Sequence, residues 1–173
     1  MSQSNHWEPE IIAFCCNYCA YAAADLAGSK RMQYPVNVRI IHSPCTGKIE
    51  MEHILGAFEK GIDGILVAGC LEGGCHFLEG NLRARKRTDR IREMLDEIGV
   101  GRDRLKMVNL SAAMAPTFVQ RVEEIVAEEG EVGGAILVGV KVWQQSAPRW
   151  VMWEVTAVRD GRHCLNYRVR STA

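Results

Sequence analysis

Short apolar runs alternate with longer amphipathic stretches over the first 130 residues, and this alternation constrains the fold more than any other feature. The runs are rich in Ile, Val and Leu and have the length of strands that are buried on both faces. Alternating strand and helix patterns predict βα units with right-handed crossovers. We therefore predict an α/β fold, a flavodoxin- or Rossmann-like three-layer sandwich with a mostly parallel sheet. Its predicted strands are Glu10–Cys16, Val36–Ser43, Asp63–Gly69 and Arg104–Leu110.

The stretches between these strands have helical periodicity. In one of them Met51, Ile54, Leu55 and Phe58 share one stripe, and Gly61 follows as a plausible helix terminator. The predicted helices are Ala20–Ala27, Ile49–Lys60, Asn81–Ile98 and Pro116–Glu129.

The pattern changes after Gly130. Two of the three β-rich runs that follow flank the pair Asp160-Gly161, which is a strong hairpin signal. We predict an α/β domain over residues 1–130 and a β-rich C-terminal extension with a β-hairpin over 131–173. The sequence leaves open whether the extension adds to the sheet, docks on a partner or forms a subdomain. The three β-rich runs after Gly130 are Gly134–Trp143, Trp150–Val158 and His163–Val169.

Composition narrows the function classes. The formal net charge of the 173 residues is zero, which argues against a general binder of nucleic acid or other polyanions. No apolar stretch approaches the roughly 20 residues that span a membrane, and the N-terminus lacks the pattern of a signal peptide. A secreted disulfide framework is usually short and even in cysteine count, whereas this chain has seven cysteines and a normal apolar content. We therefore predict a cytoplasmic protein whose cysteines bind metal or do redox chemistry.

Six of the seven cysteines lie at or just beyond the ends of three predicted strands. In a parallel sheet the carboxyl ends of the strands and the loops after them meet at one edge. Thiols from distant sequence positions are therefore expected to converge there. These are Cys15, Cys16 and Cys19 after the first strand, Cys45 after the second, and Cys70 and Cys75 after the third.

Iron–sulfur centres usually take four cysteine thiolates, and five candidates remain once Cys15 and Cys164 are read as buried apolar residues. Cys15 and Cys16 are adjacent in a strand, so one of them should point away from the site. Two alternatives stay open. A dithiol oxidoreductase would need only the Cys16-x-x-Cys19 pair and leaves the other thiols unexplained. A structural zinc module is also compatible with four thiolates.

Four segments carry a resemblance to known proteins. They are Phe14-Cys15-Cys16-Asn17-Tyr18-Cys19-Ala20-Tyr21, Cys45-Thr46-Gly47-Lys48, 61–70 and Cys75-His76-Phe77-Leu78-Glu79-Gly80-Asn81. Together they resemble one family, the delta (iron-sulfur) subunit of methyl-viologen-reducing (F420-non-reducing) hydrogenase. The resemblance covers about residues 8–128, and 131–173 lie outside it. The chain departs from the family at 71–74, where Leu-Glu-Gly-Gly stands in place of His-Pro-Gly-Asp.

The resemblance implies a non-catalytic electron-transfer subunit with a 2Fe–2S cluster. It implies that electrons pass between a hydrogenase or formate dehydrogenase module and heterodisulfide reductase, whose flavin-bearing subunit carries out electron bifurcation. It also implies a ligand pool from which four residues hold the cluster: Cys16, Cys19, Cys45, Cys70 and Cys75.

Two further features have competing interpretations. The predicted helix Asn81–Ile98 carries six basic residues, which form either a docking face for an acidic partner or a solvated surface balanced by nearby acids. His76, which adjoins Cys75, and His42 could interact with a metal site, but a structural or surface role is the better interpretation because the thiols suffice.

Overall fold

A four-stranded, all-parallel sheet forms the centre of the protein, which we describe from a computed structural model. The structure describes residues 8–132, 135–144, 151–159 and 162–171, with side chains over 8–130. The strand order is β2-β1-β3-β4, so the α/β prediction is confirmed. The strands are β1 (Ile11–Cys16), β2 (Val38–Ser43), β3 (Gly64–Cys70) and β4 (Leu105–Leu110).

Four helices cover the two faces of this sheet and make the predicted three layers. Helices α1 and α4 pack on one face and α2 and α3 on the other. Within the described residues, no helix combines the length and apolarity needed to cross a membrane. The helices are α1 (Ala20–Ser29), α2 (Met51–Glu59), α3 (Gly80–Glu97) and α4 (Ala115–Val132).

The two central strands explain why the apolar runs are continuous. Every residue of β3 is buried, and its alternate side chains enter opposite cores. Ile65 and Val67 pack with α2 and α3, whereas Leu66 and Ala68 pack with α1 and α4. Each large apolar side chain buried in this way stabilises the fold by roughly 1.5–3 kcal/mol. The parallel order brings the carboxyl ends of β1, β2 and β3 together at one edge.

Buried charges lie at the opposite, amino edge of the sheet. Arg104 Nη1 is 3.1 Å from Glu129 Oε2, and both side chains are almost fully buried. Arg104 Nη1 also donates to the carbonyl of Asp63 at 3.1 Å, and the Asp63 carboxylate accepts from the backbone N–H of Glu10 at 2.9 Å. Burial raises the pKa of Glu129 to about 7, against the opposing effect of Arg104. This ion pair connects the turn that precedes β4 to the end of α4.

The C-terminal strands form a second sheet of their own. Strands β5 (Ala135–Gln144), β6 (Val151–Arg159) and β7 (Arg162–Ser171) pair antiparallel in that order. The predicted hairpin is therefore confirmed, and β5 pairs with β6 instead of extending the parallel sheet. The division into domains at residue 130 stays a prediction, and the side chain of Cys164 lies outside the described part.

Candidate functional site

The five cysteines predicted to be ligands meet at the carboxyl edge of the parallel sheet. Four of them are buried against one another, and Cys19, which is half-buried, packs against the group. Three separate loops deliver them, as the strand order requires. The four buried thiols belong to Cys16, Cys45, Cys70 and Cys75.

Cys15 points away from this group. It is fully buried in the core between the sheet and helices α1 and α4, whereas the neighbouring Cys16 joins the thiol cluster. Burial raises the pKa of Cys15 to about 12, with a further contribution from Cys16. Cys15 is thus a core residue, which agrees with its interpretation as a buried apolar residue; alternation along the strand had required only that one of the two neighbours point away.

Cys16 and Cys70 form the first close pair of thiols. Their Sγ atoms are 3.5 Å apart, at the ends of the neighbouring strands β1 and β3. Burial raises the pKa of Cys70, and hydrogen bonds with the thiols of Cys19 and Cys16 raise it further. The carbonyl of Cys70 accepts from the side-chain amide of Asn81 at 3.1 Å and from that of Asn109, so the strand end is held in place.

Cys45 and Cys75 form the second pair. Burial raises the pKa of Cys45, although its sulfur also accepts a hydrogen bond from the backbone N–H of Gly47 at 3.4 Å. Burial opposes ionisation of Cys75 too. Hydrogen bonds from the backbone N–H groups of Asn81, Phe77 and Gly80 and from the Cys45 thiol outweigh it, so the pKa of Cys75 is lowered. The second pair thus lies at the amino end of α3, where backbone N–H groups favour a thiolate.

Two glycines allow this pair to approach the backbone. A Cβ atom on Gly80 would lie 2.3 Å from Cys45 Sγ and 3.3 Å from Cys75 Sγ. A Cβ on Gly47 would lie 2.8 Å from the Cα of Gly80. Any side chain at either position would therefore displace the sulfurs or the loop that carries them.

Two other glycines, Gly73 and Gly74, lie between Cys70 and Cys75 and have a different role. In the structure Gly73 has a left-handed backbone, and Gly74 donates to the carbonyl of Leu71 at 3.0 Å, so both serve a turn. The glycine that meets the sulfurs is Gly80. Its only sequence signal is a position at the start of a helix, shortly after Cys75.

The two histidines take part in contacts around the thiols. The ring of His76 stacks on that of Tyr18 with centroids 3.9 Å apart, and Phe77 lies edge-on to both. This aromatic group joins the first and third cysteine loops. His42 Nε2 is 2.6 Å from Asn17 Oδ1 and its ring meets Tyr21 edge-on. Both histidines therefore have partners other than the thiols.

The donor set consists of thiols, which are the ligands that iron–sulfur clusters take. In the described part of the chain, no three His, Cys, Asp or Glu side chains are arranged as ligands of one metal ion. A centre with two irons and four cysteines needs only two thiolates at each iron. Two close thiol pairs, one against the strand ends and one against backbone N–H groups, match that requirement.

Comparison with known proteins identifies the family. The family described as methyl-viologen-reducing hydrogenase, delta subunit, matches residues 11–133. The chain belongs to this family. All five clustered cysteines and both close-approach glycines of this delta-subunit family member lie inside the matched region, and strands β5 to β7 lie outside it.

Several curated delta-type subunits are similar over nearly their whole length. The vhu iron-sulfur subunit of the F420-non-reducing hydrogenase of Methanocaldococcus jannaschii is 48% identical over 126 residues, which cover 73% of this chain and 94% of that protein. The F420-non-reducing hydrogenase iron-sulfur subunit of Archaeoglobus profundus is 38% identical over 130 residues, covering 75% and 95%.

A second kind of relative contains the same unit within a longer chain. A subunit of the ferredoxin/F(420)H(2)-dependent CoB-CoM heterodisulfide reductase of Methanosarcina acetivorans is 43% identical over 125 residues, which are 72% of this chain. That region makes up only 16% of the Methanosarcina protein. The delta-subunit unit therefore occurs both as a separate protein and fused within a heterodisulfide reductase subunit.

Proposed function

We propose that this chain is an electron-transfer subunit that holds one 2Fe–2S cluster at the carboxyl edge of its parallel sheet. The observation that carries the proposal is the meeting of five thiols from three loops, four of them buried and arranged in two close pairs. Such a cluster supplies one-electron redox chemistry when it is bound.

The ligands of the proposed cluster are four of the five clustered thiols. The pair Cys16 and Cys70 would serve one iron, and the pair Cys45 and Cys75 the other. Cys19 hydrogen-bonds with Cys70 and is the only one of the five that is not buried. Cys19 is therefore close enough to replace Cys16 or Cys70 as a ligand of the first iron.

The chain's own groups suit the binding of an anionic cofactor. The backbone N–H groups at the start of α3 and in the 77–81 turn point at the Cys75 sulfur, and the N–H of Gly47 points at that of Cys45. Hydrogen bonds to the ligand sulfurs and exclusion of water are the means by which proteins set a cluster's potential.

The proposed partners come from the relatives. The names of several relatives place them in F420-non-reducing hydrogenases, and two relatives are subunits of heterodisulfide reductases. We therefore propose that the chain relays electrons from a hydrogenase or formate dehydrogenase module to the flavin-bearing, electron-bifurcating subunit of a heterodisulfide reductase-type complex. Free thiols and such partners belong to a reducing compartment, so the proposed location is the cytoplasm.

The geometry does not favour a dithiol oxidoreductase. Cys16 contacts Cys70 from another loop, and Cys19 also interacts with Cys70, so the local Cys16-x-x-Cys19 pair does not stand apart as an independent redox couple. A zinc site would use the same thiols, and metal analysis separates it from the relay.

Electron delivery tests the proposal. Its acceptor is the source organism's counterpart of the Methanosarcina heterodisulfide reductase subunit, which we call the reductase partner. The anaerobically purified chain is reduced with dithionite, freed of excess reductant and mixed with the oxidised, purified reductase partner. We expect the visible absorbance of the oxidised chain to return as about one electron per chain leaves it. A chain that has no visible absorbance, or that retains its electrons in the presence of the reductase partner, would disprove the relay.

A further inference from the structure

Charged side chains are distributed unevenly along α3. Its first nine residues, 80–88, carry four cations and no acid, whereas its last nine, 89–97, carry two cations and four acids. The amino end of a helix carries a partial positive charge and the carboxyl end a partial negative one. The charges of α3 therefore oppose its macrodipole at both ends. Helix stability does not explain this order, and a chain of zero net charge has no general excess of basic residues.

The basic end of α3 adjoins the thiol cluster. A surface cavity of about 380 Å³ lies between them, with Cys45, Phe77 and Gly80 in its wall. Its cationic residues are Lys48, Arg83 and Arg87, and its one acid is Glu50. The positive charge is thus concentrated where an electron would enter or leave the proposed cluster.

An apolar side chain protrudes beside this cavity. Leu78 is 84% exposed, and its backbone has a φ of +61°, a left-handed conformation that is unfavourable for leucine. Its N–H donates to the carbonyl of Cys75 at 2.9 Å, so the cysteine loop holds it in that conformation. The neighbouring Phe77 is 53% exposed. Folding gains nothing from an exposed leucine in a strained turn, whereas an apolar residue surrounded by charges is typical of the centre of a protein interface.

We propose that these residues form a docking face for an acidic surface of the reductase partner, with Leu78 as the apolar anchor. This inference rests on the proposed function for the identity of the partner, but the contact itself needs no cluster. We call the surface the basic docking face; it consists of Lys48, Phe77, Leu78, Arg83 and Arg87.

Two observations favour a protein over nucleic acid or a lipid surface. Acids lie among the cations of the face, because Glu79 pairs with Arg83 at 3.5 Å and Glu50 with Arg87 at 3.1 Å. Paired in this way, the cations do not form the continuous positive surface that a run of phosphate groups requires, whereas single ion pairs between acids and bases can be exchanged at a protein interface. A heterodisulfide reductase subunit is the specific occupant because in the Methanosarcina relatives a unit similar to this chain is covalently part of that subunit.

Charge reversal at the two ends of α3 tests the electrostatic part. The affinity of the full chain for the purified reductase partner is measured anaerobically at several salt concentrations. We expect Arg83→Glu to weaken binding about tenfold and to reduce its salt dependence. The matched control, Arg92→Glu, lies on the same helix outside the basic docking face and pairs with Asp103. It should change the affinity less than about twofold.

The substitution Leu78→Gly tests the anchor separately from stability. Glycine adopts a φ of +61° without strain, so the melting temperature should stay the same or rise. Loss of the exposed side chain should nevertheless weaken binding to the reductase partner about tenfold or more. Wild-type affinity in Leu78→Gly, equal effects of the two charge reversals, or no binding of the wild-type chain to the reductase partner would overturn the proposal. So would equally tight, equally Arg83-dependent binding to a DNA duplex or to phosphatidylglycerol vesicles.

The iron content of the same samples separates this inference from the proposed function. A colourless chain that binds the reductase partner with these dependences would end the relay proposal and support the docking face. An iron-loaded chain whose variants bind like the wild type would end the docking face and leave the relay standing.

Discussion

At the scale of single residues, two buried cysteines at neighbouring strand ends have different surroundings. Cys70 is central to the thiol cluster, because it interacts with both Cys16 and Cys19, whereas Cys15 packs among apolar side chains on the other face of the sheet. We expect Cys70→Ala to lose the proposed iron–sulfur cluster, as measured by iron and acid-labile sulfide after anaerobic purification.

The matched control for this prediction is Cys15→Ala. It should keep its full iron content and lose about 1 kcal/mol of stability from the smaller core side chain. Equal iron in the two variants would show that the thiol cluster is not the cofactor site.

A second residue-scale prediction concerns Gly80. A methyl group there would lie 2.3 Å from the Cys45 sulfur, so Gly80→Ala should reduce iron content as strongly as the loss of a ligand, although all cysteines remain. Gly56→Ala is the control, since its added Cβ in the middle of α2 meets nothing within 4 Å. That variant should keep its iron and gain about 0.5–1 kcal/mol in unfolding free energy. Full iron loading of Gly80→Ala would contradict the close approach.

At the scale of secondary structure elements, the buried pair of Arg104 and Glu129 links β4 to α4 and makes stability depend on pH. The folded-state pKa of Glu129 is about 7, raised from an ordinary value of 4.5. Between these values the folded chain binds more protons than the unfolded chain, so stability falls as pH rises through this window and levels off above it. Asp63, whose pKa burial also raises, acts in the same direction.

Denaturant unfolding of the iron-loaded protein between pH 5.5 and 8 measures this effect. We expect the unfolding free energy to fall by on the order of 2 kcal/mol over that range, and Glu129→Gln to remove most of the slope. Glu124→Gln, at a surface pair on the same helix, should leave the slope unchanged. A slope of the opposite sign, or one that survives in Glu129→Gln, would contradict the assignment.

The elements of the parallel sheet and its helices were predictable because their periodicity is strong. Predicted strands such as Glu10–Cys16 and Asp63–Gly69 agree with β1 and β3 within one residue at each end. The convergence of the thiols followed from the topology. The role of Gly80 did not, because it arises from contact with Cys45 and Gly47, which are far away in the sequence. The placement of β5 was also not predictable, since an apolar run fits either a parallel or an antiparallel neighbour.

At the scale of the whole molecule, the family match covers the parallel sheet and its helices but not the C-terminal sheet. The Methanocaldococcus jannaschii relative, which aligns with this chain over 126 residues, has 94% of its own length in that region. The five clustered cysteines, the buried ion pair and both apolar cores lie before residue 131. We therefore expect a chain that ends at Val132 to keep its iron and its cooperative unfolding.

A shorter truncation provides the control for this prediction. A chain that ends at Gln120 loses the buried Val122 and Ile125 and the partner of Arg104, so it should not fold or hold iron. If the chain ending at Val132 also fails to load iron, the β-rich extension is part of the site's support and the predicted domain division is wrong.

The thiol cluster is proposed to hold a 2Fe–2S centre, and the most direct test is to count iron and acid-labile sulfide in the anaerobically purified chain. We predict a brown protein with about two irons and two sulfides per chain. A colourless protein that contains zinc, or that still lacks iron after anaerobic reconstitution with iron and sulfide, would contradict this proposal.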